Sequence, residues 1–274
     1  MAEWTETYRG IVKAWECDVF DHLTIAYYYE HYEDASQLAL DAFAGRHGPS
    51  RTTNLYVRHL REFRAGDSLH IVSAPIAAGD GSLTLGHKVQ DSATGDLCAT
   101  VEQTLEFGVR ERIEIAGGLV PWDGPTREHR EPPHGRPRFV PAGRSIVKAW
   151  EVGALGLGWQ HMIHRFSGAG LHACNAIGMT ARYLRENKRG FSTFELDLAL
   201  KAAQPKLGDH LVVESALIQI GKSSIRLLHR MSDGRRGAEI ATLGQYGVHF
   251  DMEARRPAPL PATLHAAAGA LLPA

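Results

Sequence analysis

The sequence predicts an α+β protein made of two tandem copies of one domain, each a single long helix against an antiparallel sheet. Three observations predict it. Ile11-Val12-Lys13-Ala14-Trp15-Glu16 recurs as Ile146-Val147-Lys148-Ala149-Trp150-Glu151. Arg64-Ala-Gly66-Asp67-Ser-Leu69 is echoed by Lys206-Leu-Gly208-Asp209-His-Leu211. The same order of one helix and then several strands follows each hexapeptide. Six identical consecutive residues that include a Trp do not arise readily by chance, and two copies are too few for a solenoid. Duplication of a whole domain is the better reading.

The elements follow in order. Each copy opens with a short strand, Arg9–Trp15 and Ser145–Glu151. A helix comes next, at about 24–44 and 159–178. In the first, Ala26, Tyr29, Ala35, Leu38, Ala39, Ala42 and Phe43 recur near helical spacing. Strands are then expected at roughly 53–63, 68–78, 82–91 and 97–107 in copy one. Copy two repeats them at 192–203, 210–220, 223–231 and 238–250. Gly-Asp, Asp-Gly and Thr-Gly-Asp turns punctuate these runs. One helix followed by consecutive strands is the α+β pattern. The copies occupy 1–116 and 143–253. Between them, 117–142 carries six of the 13 prolines and reads as an extended linker, because Pro fixes φ and removes a backbone donor. The segment 254–274, rich in Ala, Pro and Leu, reads as a loose or docked tail.

Composition bounds the function. The 274 residues are comfortable for two ordinary domains, and 44% apolar with 22% charged residues is ordinary globular usage. Thirty Lys and Arg against 31 Asp and Glu give no global field for nucleic acid or an anionic membrane. Cys17, Cys98 and Cys174 are odd in number and far apart, which supports neither a disulfide framework nor a zinc site. No metal and no cofactor is implied. The polar start MAEWTETYRG is unlike a signal peptide, and no apolar run approaches the roughly 20 residues of a membrane span. A cytoplasmic setting is expected.

The segment Glu16-Cys-Asp18-Val-Phe-Asp21-His22-Leu-Thr24, continuing through Tyr28 to Glu33-Asp34-Ala35, resembles the signature of 4-hydroxybenzoyl-CoA thioesterase-like hotdog proteins. Arg61-Glu-Phe-Arg64-Ala-Gly66-Asp67 resembles that family's strand-turn phrase. The resemblance implies a double hotdog, hydrolysis of an acyl-CoA thioester, and Asp18 as the catalytic carboxylate. It also implies active sites at the boundary between copies, with copy two a pseudo-subunit supplying a wall around Asn187–Phe194. The chain departs from the pattern twice. Asp21 stands where the family has a turn Gly, and Thr24 where an Asn is frequent. Copy two departs further. Counted from the hexapeptide, Gly153 falls opposite Asp18 and Leu157 opposite His22, so the acid and the imidazole are gone and one competent site per chain is expected.

Thioester hydrolysis needs a carboxylate, an oxyanion site and a pocket for the substrate arm. Asp18 is the base or the nucleophile, or else a solvated loop carboxylate. His22 orients a water or a carbonyl, or is a satisfied loop histidine. Thr24 caps the helix by accepting from a backbone N–H, leaving the helix N-terminus as oxyanion site. Asp21 is a turn residue or a second acid. Tyr28 is the best pocket-lining candidate in an aromatic run that otherwise reads as core. Cys17 beside Asp18 reads as a core residue before a nucleophile. For coenzyme A phosphates the candidates are Arg61 and Arg189, the latter in a cluster with Arg182, Arg185 and Lys188. Alternatives from other classes are a hotdog hydratase or dehydratase, and a non-catalytic binder of acyl-CoA or another small ligand. A homodimer of double hotdogs is a further expectation.

Overall fold

A computed structural model describes residues 3–44, 50–108, 112–115, 117–127, 135–153, 156–202 and 204–273. The chain divides into two compact units, Met1–Arg127 and Glu128–Ala274.

In the first unit β1 (Thr5–Ile11) is followed by a 3-10 turn (Ala14–Glu16) and helix α1 (Ile25–Phe43). Strands β2 (Ser50–His59), β3 (Ser68–Gly79), β4 (Ser82–Asp91) and β5 (Leu97–Phe107) complete an antiparallel sheet in the order β1-β3-β4-β5-β2. The hexapeptide, expected as strand, leaves the sheet at Ile11 and turns. The reason is local: Glu16 reaches back to accept from the Lys13 backbone N–H at 2.9 Å and from Lys13 Nζ at 2.9 Å, which closes the 3-10 turn. Alternate residues of β3 to β5 point to one face, where Leu83, Leu85, Leu105 and Phe107 pack with Ala39 and Ala44 of α1. Residues 117–127, read from sequence as the start of a linker, fold back on this unit. The Trp122 ring lies against Gly86 of β4, where a Cβ would sit 2.7 Å from it, and Lys88 lies over Trp4 at 4.0 Å.

The second unit repeats the plan. Strand β6 (Val140–Ile146), a 3-10 turn (Ala149–Glu151), a two-residue hairpin β7 (Val152–Gly153) and β8 (Gly156–Leu157), and helix α2 (Trp159–Ala176) come first. A short helix α3 (Ala181–Glu186), not anticipated, precedes β9 (Arg189–Leu200). Then come β10 (His210–Ile220), β11 (Ser224–Asp233) and β12 (Glu239–Asp251). The order β6-β10-β11-β12-β9 reproduces that of the first unit element for element. The tail adds β13 (Arg256–Pro257), paired with β12, and helix α4 (Ala262–Gly269). Leu260, Leu264 and Ala268 bury against Cys174, Met179, Leu217 and Leu227, so this tail is docked. Residues 128–134 of the expected linker lie outside the described residues. Among the described residues no helix is long and apolar enough to cross a membrane.

The units also share a buried polar network. Ser73 on β3 lies 2.6 Å from His87 Nδ1 on β4, whose Nε2 lies 3.0 Å from Gln103 Oε1 on β5. In the second unit Ser215, His229 and Gln245 repeat it at 2.7 and 2.9 Å. An amide oxygen only accepts, so each ring carries its proton on Nε2, and each serine donates to Nδ1. Gln103 then donates to Ser36 and Thr52, and Gln245 to Thr193. Burial holds both histidines down to about 4, so both rings are neutral at pH 7.

Candidate active site

The loop before α1 is a tight hairpin. Cys17 bridges Leu23, and the Asp18 N–H donates to the His22 carbonyl at 2.8 Å. Asp18 Oδ1 accepts from the backbone N–H groups of Phe20 at 2.8 Å and His22 at 3.1 Å. Asp21 holds φ at 63°, so it occupies the left-handed conformation that a turn glycine takes at low cost. His22 pairs with Arg64. Its Nε2 lies 3.2 Å from the Arg64 guanidinium and 3.3 Å from Glu62 Oε2, and Arg64 reaches Asp21 at 3.6 Å. One ring nitrogen thus has a cationic donor and a carboxylate acceptor beside it. The Cys17 thiol is pushed up by burial and by Asp21, Asp18 and Glu16, which keeps it protonated and a poor nucleophile.

Thr24 occupies the N-cap position of α1, but its side chain makes no cap bond. The expected hydroxyl cap is therefore corrected. The Thr24 backbone N–H donates to the Glu16 carbonyl at 2.9 Å, which fixes the entry of the helix, and Oγ1 is enclosed without a hydrogen bond among the described residues. Leu23 N–H donates to the Phe63 carbonyl, and Phe63 N–H donates to the Tyr28 hydroxyl at 3.4 Å. Tyr28 thereby joins the loop to a buried ring cluster. His59 meets its ring edge-on at 4.7 Å, and Phe63 and Tyr32 each lie 6.1 Å away.

The structure brings Asp18, Asp21, His22, Thr24 and Tyr28 into one neighbourhood, with Arg64 and Glu62 beside them. Arg61 turns elsewhere and pairs with Asp96. Arg189 belongs to the second unit, where it pairs with Asp251 at 2.8 Å, while Arg182 pairs with Glu186 and Lys188 with Glu253. Sequence reasoning missed His59. It also missed a buried set at the foot of α1: Glu16, 1% exposed, lies 3.8 Å from His31 Nε2, and His31 Nδ1 meets the Tyr8 hydroxyl at 2.8 Å. Burial brings His31 to about 4 and Tyr8 to about 12. Position-by-position comparison of the two copies was the available signal for both, since copy two carries different residues at these places.

The matching hairpin of the second unit is one residue shorter. Glu151 and Glu16 are equivalent, because Gly158 N–H donates to the Glu151 carbonyl as Thr24 does to Glu16. Val152 pairs with Leu157 as Cys17 does with Leu23. Gly153 pairs with Gly156 as Asp18 does with His22. Leu157 therefore stands where Leu23 does, Gly156 stands where His22 does, and the missing residue falls at the tip of the loop. Counting without a gap had hidden this. Ala154 and Leu155 lie outside the described residues.

A long helix against a five-stranded antiparallel sheet, present twice, defines the class: a double hotdog. A family model described as thioesterase-like superfamily matches residues 12–117 and 156–268, and the chain belongs to that family. It is a thioester hydrolase by family. No curated protein matches. Among solved structures the chain is similar to an acyl-ACP thioesterase from Bacteroides thetaiotaomicron, with TM-score 0.65, 10% identity, and 88% of this chain and 96% of that one covered. It is also similar to a 12:0-ACP thioesterase from Umbellularia californica, with TM-score 0.61, 9% identity, and 88% and 93% covered. An acyl-CoA thioesterase II from Mycobacterium marinum matches with TM-score 0.53, 13% identity, and 94% and 97% covered. At these identities the likeness is one of fold.

Proposed function

We propose that the chain hydrolyses acyl-CoA thioesters to the free acid and coenzyme A at the start of α1. The observation that carries this reading is the contrast at one loop. Asp18 and His22 stand before α1, whereas the loop before α2 has Gly153 and Gly156 in their places. Asp18 is the base or nucleophile. Its Oδ1 is held by two backbone amides, which leaves Oδ2 to attack the thioester carbonyl or to take a proton from the attacking water. The first-turn amides of α1, at the positive end of the helix dipole, receive the oxyanion. His22 orients the water or the carbonyl, Asp21 shapes the turn and Thr24 sets the helix start. Arg61 meets coenzyme A phosphates by exchanging the carboxylate of Asp96 for them.

A second reading has its own observation. Asp91, Asp233 and Asp251 also accept from the amides two and three residues ahead, so aspartate is this chain's habitual turn former. On that reading Asp18 serves only the hairpin, and the chain binds acyl-CoA without cleaving it. Asp18→Asn separates the two, because the Asn carbonyl oxygen still accepts both amides while the charge is gone. Free-thiol release from a panel of acyl-CoAs should fall on the order of 10²-fold or more with unchanged melting temperature. Undiminished release, or none from the parent chain on any substrate, removes Asp18 from the chemistry.

A further inference from the structure

The interior face of α1 that begins at this loop is built unlike its counterpart. Thr24, Tyr28 and Tyr32 follow one another at four-residue steps, so they share a face running about 12 Å inward from the hairpin. His59 approaches the Tyr28 ring of this face from β2. Thr24 Oγ1, the Tyr32 hydroxyl and His59 Nε2 are all enclosed, and none makes a hydrogen bond among the described residues. Buried polar atoms are paired in the great majority of cases, and leaving one unpaired is costly. Three on one face call for an explanation.

The second unit supplies the control. Its equivalents follow from the shared cap bond and strand register. Gly158 matches Thr24, Met162 matches Tyr28 and Phe166 matches Tyr32. Leu200, opposite Ala241, matches His59, opposite Ala99. Met162, Phe166 and Leu200 are all buried. The same fold is therefore completed with apolar side chains at these positions. Folding alone does not demand the hydroxyls or the imidazole there.

We propose that this face receives an acyl group bearing a neutral hydrogen-bonding oxygen, a hydroxyl or keto group, in preference to a plain alkyl chain; the inference rests on the acyl-thioester reading above. Tyr32 and Thr24 can donate or accept, and His59 can do either according to its tautomer. The oxygen is neutral because no cation lies among these side chains. Burial holds the His59 ring down to about 4, so it does not supply one at pH 7. An ionised substituent would enter with its charge unpaired. A site whose polar atoms wait for a partner rejects a substrate that lacks one more strongly than an apolar site rejects a substrate that has one.

The test is calorimetric titration of the full chain with two thioether analogues of acyl-CoA of equal chain length, one alkyl and one hydroxylated toward its end. The hydroxylated analogue should bind at least about tenfold more tightly. Tyr32→Phe and His59→Leu, which copy the second unit, should each narrow that gap to less than about threefold. Neither should lower the melting temperature, since an unpaired hydroxyl or ring nitrogen contributes nothing to the free protein. Equal binding of both analogues, or tighter binding of the alkyl one, overturns the proposal and leaves the thioester reading standing. Binding of neither analogue overturns the thioester reading and the proposal with it. A marked drop in melting temperature in both variants also overturns the proposal, because the polar atoms would then have partners inside the protein.

Discussion

Glu16 and Glu151 hold the same place at the foot of their helices, yet they face different partners. In the second unit Arg165 reaches Glu151 at 2.7 Å and Ser145 at 2.9 Å. Burial opposes ionisation of Glu151, but the Arg165 and Lys148 bonds outweigh it, and its carboxyl is held below the usual range. In the first unit a neutral histidine stands in place of Arg165, and Tyr8 lies over Gly10, where a Cβ would sit 2.6 Å from its hydroxyl. One copy meets its half-buried carboxylate with an arginine from the helix; the other pairs its buried carboxylate with Lys13 and keeps a titratable ring next to it. The same contrast recurs along the helices, with Tyr against Met and Phe, and at the hairpin, with Asp18 and His22 against glycines. A duplicated domain thus separates what the fold requires from what one copy has kept for another purpose. The Ser–His–Gln network, present in both, falls on the side of the fold.

That division can be broken most forcefully at the network. His87→Ala and His229→Ala each leave a serine and a glutamine without their partner inside the protein. Each should cost about 3–5 kcal/mol, the two losses agreeing within about 1 kcal/mol. Hydrogen exchange of the β4 and β11 amides reads each unit separately; a large loss in one and none in the other would mean that the network serves only one copy.

Next in size is the loop. Deleting His22 gives the first hairpin the length of the second, which is a length this fold accepts. Thioester hydrolysis should drop on the order of 10²-fold, about 2.7 kcal/mol of barrier, with α1 still formed by circular dichroism. Hydrolysis at the parental rate would show that the extra residue has no part in the chemistry.

The smallest effect per residue comes from acid. His31, His59 and His87 in the first unit and His229 in the second are held at about 4, below their ordinary 6.5. Between those values the unfolded chain binds more protons than the folded one, so stability falls as pH drops from 6.5 toward 4. At pH 5 each histidine costs about 2 kcal/mol. With three such rings against one, the first unit should open earlier, visible as exchange in α1 before α2. Simultaneous opening would mean that the first unit's extra histidines are not neutral when folded.

Much of this was legible in the sequence. The hexapeptide and the Gly-Asp turn gave the duplication, and helical spacing placed α1 within one residue at each end. The second helix was drawn two residues long at its end, because it stops at Ala176 before the Gly178 turn. The hexapeptide was misread as strand because the bond that turns it, Glu16 to the Lys13 amide, is a side-chain event invisible to periodicity. That Gly156, not Leu157, stands opposite His22 was hidden because an alignment anchored on identical residues does not reveal a later one-residue gap. His59 escaped because its partners are Tyr28 and the α1 face, over thirty positions away, and nothing local marks it. Arg61 and Arg189 were chosen as free cations, and charge alone does not tell where Asp96 and Asp251 will stand.

The Ser–His–Gln network has a consequence for how the sheet finds its alignment. Its three members sit on adjacent strands, and each unit spaces them by 14 and 16 residues. Strand side chains alternate faces, so slipping β4 by one position would turn His87 away from both neighbours. Ser73 and Gln103 would then each lose the bond to the ring and keep only those to Thr7 and to Ser36 and Thr52, at about 1 kcal/mol each. Hydrophobic alternation alone resists odd shifts; a two-residue shift preserves the alternation and still misplaces the imidazole. The buried trio therefore acts as a register pin, rejecting pairings that greasy side chains would tolerate and doing so independently in each half of the chain.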